Sequence, residues 1–353
     1  MKKSLIALAV LATAGVASAQ SSVTLFGIAD ATLAFGKGSG VGSSNKTQLT
    51  NSGYNSSRLG FRGTEDLGGG MSASFWLEAS ANTDDGAGGA TSTNNQATGS
   101  TGGGGLTFNR RATVSLAGNF GEIRLGRDYT PQFWNLTVFD PFGANGVGTT
   151  QTLSSLGGLT RVRASNSMGY FLPKNLGGFY GQVQYYLGEN NKTGAATEKD
   201  GTGTALRLGY AAGPVNAALA FSSTKYATGN IKTTNLGGQY DLGVAKLMAH
   251  YSRDRVDSTP SVTGKGYLLG GLIPMGAGEI RVAYSVYKTD AAGSPKSKKL
   301  ALGYVHNLSK RTALYTTFAR VSNSGGAASA LNGAVTAANN NSTGYDFGIR
   351  HSF

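Results

Sequence analysis

The sequence predicts an all-β protein, a sixteen-stranded antiparallel transmembrane β-barrel. Apolar and polar residues alternate along most of its length, and a strand has a side-chain period of two, so each strand gains one apolar and one polar face. Gly is abundant, at 55 residues, and Pro is scarce, at 7, which favours strands joined by turns. Residues 20–353 are predicted to form a single domain, because no linker or change of composition divides them.

The first nineteen residues have the pattern of a cleaved signal peptide. Lys2 and Lys3 precede an apolar stretch that ends in Ala17-Ser18-Ala19, a typical cleavage sequence. We therefore expect residues 1–19 to be removed during export. No other stretch reaches ~18 consecutive apolar residues, so no transmembrane helix is predicted. The sequence contains no Cys, which excludes disulfide bonds.

Seven short turns and eight longer loops divide the rest of the chain into sixteen strands. The turns are rich in Gly, Pro, Asn and Asp, which supply the backbone angles that tight turns need. They lie at 65–70, 118–121, 173–178, 212–214, 241–243, 274–278 and 307–310. The longer loops lie near 36–54, 82–106, 130–162, 188–202, 224–231, 254–261, 289–296 and 321–343. Short turns at one end, long loops at the other and an even number of strands are typical of bacterial outer-membrane barrels.

The last ten residues form the clearest predicted strand. Tyr345, Phe347, Ile349 and Phe353 share one face, and His351 is the only polar residue on it. An apolar outer face at the very end of the chain suits a strand that closes the sheet on its first strand. The last strand of a soluble sheet would show the same alternation.

The first predicted strand carries small residues on its apolar face. Gly27, Ala29 and Ala31 alternate there with polar residues such as Asp30. Small residues cover a lipid-facing wall poorly but allow a neighbouring wall to approach closely. We interpret this face as a contact between subunits, with ordinary packing within one barrel as the alternative.

Several segments resemble the general diffusion porins of Gram-negative bacteria, specifically their beta-proteobacterial branch. They are Ser22–Gly27 with Asp30, Ser57–Gly68, Phe120–Arg127, Asp140–Gly143, Asn166–Tyr170, Leu308–Thr312 and the C-terminal strand. The resemblance implies an outer-membrane homotrimer of barrels, with both chain ends in the periplasm and the third long loop folded into each lumen. It also implies that the final strand, ending in Phe353, is the signal read by the outer-membrane assembly machinery.

Strand parity predicts arginine residues on the lumen wall of the early strands. A residue points inward when its sequence neighbours are apolar and point outward. This rule turns inward Arg58, Arg62, Arg111, Arg124 and, if its strand begins early enough, Arg163. The orientation of Arg110, which precedes Arg111, is left open by the rule. A single arginine of this kind is more simply a solvated residue or a salt-bridge partner, but several together favour a pore lining.

The third long loop, 130–162, is predicted to add little negative charge to the channel. Its single acidic residue is Asp140, while Arg161 and Arg163 lie at its end. The resemblance to anion-selective porins implies a narrowest point, or eyelet, formed by Arg58, Arg110 or Arg111, and Arg163, with Glu78 and Asp140 beside them. Close cationic groups in a narrow passage raise the local concentration of anions, and Arg stays charged even in a cluster. We therefore predict a water-filled, anion-selective channel for small hydrophilic solutes and ions.

Two other functions, a substrate-specific channel and a soluble adhesin, are alternatives to this prediction. A substrate-specific outer-membrane channel would carry a row of aromatic residues along its lumen. Trp76 is predicted to face inward where the resembled family often carries a polar residue, usually Gln, but it is a single residue. A soluble secreted β-sandwich adhesin would also alternate, although larger apolar residues and less regular hairpins are typical of such a core.

The remaining function classes find no support in the sequence. An enzyme would need a nucleophile and a base, and no local Ser or carboxylate pattern marks His250, His306 or His351 as a base. No zinc, phosphate-loop or dinucleotide motif is present, so neither a metal nor a cofactor is predicted. A net charge of +13 would ordinarily suggest nucleic acid as a partner. An exported protein leaves the compartment that holds nucleic acid, so this partner is not predicted. The positive charge is expected to line the lumen and to contact anionic lipopolysaccharide.

Overall fold

The computed structural model describes residues 22–153 and 155–353, and the predicted signal peptide, residues 1–19, lies outside them. Nineteen strand segments are present in these ranges. They are β1 Ser22–Lys37, β2 Lys46–Asn51, β3 Arg58–Gly68, β4 Met71–Ser80, β5 Thr91–Ser92, β6 Ser100–Thr101, β7 Arg111–Gly118, β8 Gly121–Tyr129, β9 Arg163–Phe171, β10 Phe179–Tyr186, β11 Gly203–Ala212, β12 Val215–Thr224, β13 Ile231–Asp241, β14 Lys246–Val256, β15 Val262–Met275, β16 Gly278–Thr289, β17 Lys296–Asn307, β18 Thr312–Ser324 and β19 Ser342–Ser352.

All of these segments except β5 and β6 belong to one closed antiparallel sheet. From β3 onward, consecutive wall strands pair with each other, β4 pairing with β7, and β19 returns to pair with β1 from Ile28 opposite Ser352 to Lys37 opposite Thr343. The strand β1 pairs with β3 over one half and with β2 over the other, so β2 and β3 share one position in the wall. The prediction of a sixteen-stranded closed barrel is therefore confirmed, and the alternative of two facing sheets is not observed.

The predicted loop at 36–54 is partly wrong, because its residues 46–51 form strand β2. Its flanks are rich in Gly and Ser, which hides a six-residue strand in the sequence. The chain then leaves the wall at residues 52–57. The carboxylate of Asp30 accepts hydrogen bonds from the amides of Tyr54 and Asn55, at 3.0 and 2.6 Å, and holds this bend against the inner face of β1.

The seven predicted turns all join consecutive barrel strands at one end, which we call the turn end; the other end is the loop end. In the first turn Gly68, Gly69 and Gly70 have φ values of 78°, 60° and 78°. Residues with a side chain rarely adopt these φ values, so three consecutive glycines permit this short connection. No described helix is long and apolar enough to cross a membrane.

The third long loop enters the barrel, as predicted, and carries the helix Pro131–Val138, which we call the loop helix. The side-chain amide of Asn135 donates to the carbonyl of Ala218 at 2.8 Å and to Oδ1 of Asn235 at 2.9 Å, both on the inner wall. The ring of Phe139 fills the space beside Gly237, where a β-carbon would lie 2.0 Å from the ring. The described residues also contain four short 3-10 helices, at Ala97–Gly99, Ser155–Gly157, Leu159–Arg161 and Ala196–Lys199.

The main apolar core lies inside the barrel, between the third loop and the far wall. Phe142 and Val147 of the loop pack there against Leu331 of the last long loop and against wall residues Leu268, Ala283, Ala301, Ala319 and Val321. On the outer face, alternate strand positions expose large apolar side chains, including Tyr345, Phe347, Ile349 and Phe353. This division leaves the opposite side of the lumen, along β3 to β11, for polar groups.

Candidate functional site

One buried carboxylate is the centre of the polar cluster on the lumen wall. Glu78, which is 4% exposed, accepts a hydrogen bond from Arg110 Nε at 2.6 Å and one from Arg58 Nη1 at 3.4 Å, both to Oε1. Its other oxygen accepts a hydrogen bond from Trp76 Nε1 at 3.1 Å. The indole therefore fixes the orientation of the carboxylate that holds the two guanidinium groups.

Tyr129 connects a third arginine, Arg163, to this cluster. Its hydroxyl accepts hydrogen bonds from Arg110 Nη2 and Arg163 Nη2, both at 2.9 Å. The Arg163 guanidinium also lies 4.4 Å from the centre of the Tyr129 ring and donates from Nε to the carbonyl of Arg110 at 2.8 Å. Two guanidinium groups thus bind the carboxylate of Glu78 directly, and the third, that of Arg163, joins them through Tyr129. With three cations and one carboxylate, the cluster carries an excess of positive charge.

The structure places both Arg110 and Arg111 inward, which strand parity alone does not allow. Arg110 precedes the first residue of β7, and its amide donates to the carbonyl of Glu78 at 3.1 Å. The alternation of strand side chains does not extend to this position, so Arg110 turns toward Arg58 and Arg163. Arg111 points toward the turn end, where its guanidinium lies 4.5 Å from the Trp76 ring.

Two chambers open on either side of this cluster. The loop-end chamber has a volume of about 410 Å³ and is lined by the three clustered arginines together with Tyr129, Phe133 and Trp134. The turn-end chamber has a volume of about 670 Å³ and lies above the turns at 118–121 and 173–175. Trp134 of the loop helix lines both chambers, so its side chain lies between them.

The other arginines predicted for the eyelet lie closer to the turn end. Arg124 pairs with Glu122 at 2.9 Å and with Asp128 at 2.6 Å, so acids offset its charge. Arg111 lies 3.8 Å from Asp128. Arg62 is exposed in the lumen, and its guanidinium lies 5.1 Å from the Trp76 ring. Strand parity predicts the inward direction of Arg62, Arg111 and Arg124 correctly. All three lie closer to the turn end of the barrel than Arg58 does.

Asp140 and Arg161 of the third loop lie away from the arginine cluster. The buried carboxylate of Asp140 accepts hydrogen bonds from the amides of Phe142, Ala144 and Thr150 at 3.0–3.2 Å. Burial raises the pKa of this carboxyl above its ordinary value, and the amide hydrogen bonds act in the opposite direction. The carboxylate of Asp140 therefore stabilises the backbone of its own loop. Arg161 lines a small gap between the loop and β13 and β14.

The small residues predicted for a subunit contact differ in their accessibility. Ala29 is exposed on the outer face and Ala31 is half-buried, but Gly27 is covered by the ring of Phe353 from the same chain. Among the described residues, no group of three or more His, Cys, Asp or Glu side chains could hold a metal ion.

Sequence reasoning missed Tyr129, Trp134 and Arg207. Tyr129 is the last residue of β8 and follows a register shift between Gly126 and Asp128, which interrupts the strand period. Trp134 lies in the loop helix, where no strand period applies. Arg207 has a clear signal, because its neighbours Leu206 and Leu208 face outward and are 45% and 52% exposed. The predicted pore lining covers the early strands and therefore does not include this arginine of β11.

The comparisons with known proteins agree with this architecture. The sequence profile of the Gram-negative porin family matches residues 4–326. Outer membrane porin protein 32 of Delftia acidovorans is 40% identical over 372 residues, which cover 100% of both chains. An outer membrane porin protein of Bordetella pertussis is 31% identical over 373 residues, covering 89% of this chain and 93% of the relative.

Solved structures extend the likeness from sequence to fold. The structure of an anion-selective porin from Comamonas acidovorans matches with a TM-score of 0.84 at 36% identity, and it covers 95% of this chain and 100% of that one. The chain therefore belongs to the Gram-negative porin family and is a channel-forming porin of the outer membrane.

Proposed function

We propose that this porin is an anion-selective channel for small hydrophilic solutes and that Arg58, Arg110 and Arg163 form its eyelet. The observation that carries the proposal is that these three guanidinium groups are clustered around a single carboxylate, Glu78, which binds Arg58 and Arg110, while the Tyr129 hydroxyl binds Arg110 and Arg163. Asp140 adds no counter-charge there, because its oxygens bind amides of its own loop. The Comamonas acidovorans porin with 36% identity is anion-selective, which supports the proposal.

The size of the effect follows from Coulomb's law. Two unit charges ~4 Å apart interact by about 1 kcal/mol at the dielectric constant of water and by about 4 kcal/mol at an effective value of 20. Even the smaller energy corresponds to about a fivefold local preference for anions, since 1.4 kcal/mol is tenfold. Salt weakens the field over a Debye length of about 8–10 Å, so selectivity is expected to be largest in dilute salt.

The same proposal includes how the chain reaches and occupies the membrane. Residues 1–19 direct export and are removed, and residues 20–353 form the barrel. The outer-membrane assembly machinery reads the apolar face of β19, and the mature barrels associate as a homotrimer in contact with lipid and lipopolysaccharide. The exposed outer positions of β1 and β19 support this part of the proposal.

The test is the reversal potential of single channels in a planar bilayer under a KCl gradient. We expect the sign that corresponds to preferential chloride passage, with a larger magnitude in dilute salt. A reversal potential of the opposite sign would refute the charge argument. A substrate-specific channel would instead show conductance that saturates with one solute class.

A further inference from the structure

The turn-end chamber contains an arginine that the eyelet does not use. Arg207 lies on the inner face of β11 and lines this chamber with Trp134, Phe171 and Tyr180. We propose that the chamber is a binding site for an aromatic carboxylate, with Arg207 holding the carboxylate and the rings holding the planar body. The inference rests on the proposed function, because an anion reaches this chamber through the same channel.

Arg207 is a buried cation without a carboxylate partner. Its side chain is buried, with the residue 8% exposed; Nε donates to Asn135 Oδ1 at 3.1 Å and Nη2 donates to the Tyr180 hydroxyl at 3.2 Å. In the part of the chain that the structure describes, no acid lies within ion-pair distance of Arg207, and its Nη1 has no hydrogen-bond partner. A buried charge is costly unless it is paired, so an incoming anion would be stabilised here.

The other arginines of the chamber do not share this property. Arg124 is paired with Glu122 and Asp128, and Arg111 lies near Asp128 as well. Their positive charge is largely offset by fixed acids on the wall. Lys174, in a turn at the rim of the chamber, supplies further positive charge. Among the described arginines that line the chamber, Arg207 is therefore the one whose positive charge no fixed acid offsets, and it lies on the wall beside the loop helix.

The aromatic rings explain why the ligand should carry a ring. The Arg207 guanidinium lies 4.8 Å from the Tyr180 ring centre, and that of Arg124 lies 4.0 Å from the Phe171 ring centre. Each of these two rings faces a guanidinium group, and Trp134 lines both chambers. Planar apolar bodies pack on such rings in offset or edge-on arrangements, whereas chloride or acetate cannot. A volume of about 670 Å³ accommodates a ligand of this size.

Single-channel recording with three carboxylates tests the proposal. Benzoate, cyclohexanecarboxylate and acetate carry the same charge, but only benzoate has a planar ring. With each probe added at the turn end, we expect benzoate to interrupt the current with residence times about fivefold longer than those of cyclohexanecarboxylate. Acetate should cause no resolved interruptions. Equal residence times for benzoate and cyclohexanecarboxylate would overturn the aromatic part of the proposal.

The variant Arg207→Gln tests where the carboxylate binds. It should shorten the benzoate residence at least tenfold, because a charge-assisted hydrogen bond is lost, while the KCl reversal potential keeps its sign. An unchanged benzoate residence in Arg207→Gln, with loss of binding in an Arg58→Ser variant, would assign the carboxylate to the eyelet and overturn the proposal. Failure of the proposed function would appear separately, as a cation-selective wild type.

A second variant keeps the test decisive if Arg207→Gln does not assemble. Trp134→Leu retains every charge of the chamber and removes one ring. We expect it to abolish most of the difference between benzoate and cyclohexanecarboxylate while leaving both able to bind. A preserved preference for benzoate in Trp134→Leu would show that the rings do not select the ligand.

Discussion

Phe353, the last residue, closes the barrel by pairing with Gly27. The two residues exchange both backbone hydrogen bonds, at 3.0 and 3.1 Å, one step beyond the pairing of Ile28 with Ser352. A β-carbon at Gly27 would lie 2.3 Å from Cζ of the Phe353 ring. The carbonyl oxygen of Arg58 would lie 2.7 Å from the same β-carbon, so there is no room for a side chain at Gly27. Gly27 is covered within its own chain, whereas the sequence predicts that it contacts a neighbouring subunit.

The first prediction concerns this pair. Gly27→Leu should prevent stable closure, because its side chain would occupy the space of the Phe353 ring and separate β1 from β19. The measurement is the amount of folded barrel, detected by its heat-modifiable mobility in detergent gels. Ala29→Leu is the matched control, since Ala29 is exposed on the same face of the same strand. Equal amounts of folded barrel for the two variants would contradict a role of Gly27 in closure.

The second prediction concerns subunit association. Ala29→Leu combined with Ala31→Leu should lower the melting temperature of the trimer in detergent, because added bulk separates two facing walls. The barrel itself should stay folded, since these outer positions do not contact the lumen. Val183→Leu, at an exposed outer position on the distant strand β10, is the control and should leave trimer melting unchanged. Unchanged melting in the double variant would remove β1 from the interface.

The barrel was predictable because alternation is a property of individual strands. Each strand of the wall shows an apolar face, and the turn sequences at its ends are distinctive. The short strand β2 was missed since its six residues lie between stretches rich in Gly and Ser. The inward direction of Arg58, Arg62, Arg111 and Arg124 followed from the same alternation.

The eyelet was less predictable because two of its features depend on irregular backbone. Arg110 turns inward only because it lies before the first residue of β7. Asp140 was expected beside the arginines, but the backbone of the third loop folds around its carboxylate and removes it from the passage. No strand period extends into that loop, so the directions of Asp140, Arg161 and Trp134 could not be predicted from the sequence.

The third prediction concerns the anchoring of the third loop. The ammonium of Lys299, a buried residue of β17, donates to the carbonyl of Val147 at 3.1 Å, and Asp346 accepts a hydrogen bond from the Val147 amide at 2.8 Å. Lys299→Met removes a charged hydrogen bond worth about 1.5–3 kcal/mol. The loop should become more mobile, and the current through the open channel should become noisier.

A neighbouring lysine provides the control for this prediction. Lys298 is exposed on the outer face of the same strand, so Lys298→Met removes the same charge without touching the loop. Single-channel noise should rise in Lys299→Met and stay at the wild-type level in Lys298→Met. Equal noise in the two variants would mean that Lys299 does not hold the loop in place.

The last prediction concerns selectivity. Replacing Arg58, Arg110 and Arg163 with Ser in one variant removes the excess positive charge of the cluster. The carboxylate of Glu78 then remains there as a fixed negative charge. The KCl reversal potential should move to zero or change sign, most clearly in dilute salt, where screening is weakest.

The variant Arg62→Ser is the control, because it removes one inward positive charge away from the eyelet. Arg62 lies four residues from Arg58 along β3, about 13 Å at ~3.3 Å per residue, which exceeds the Debye length at physiological salt. At that ionic strength the control should therefore shift the reversal potential far less than the triple variant. An anion-selective wild type with an unchanged triple variant would show that other residues set the selectivity.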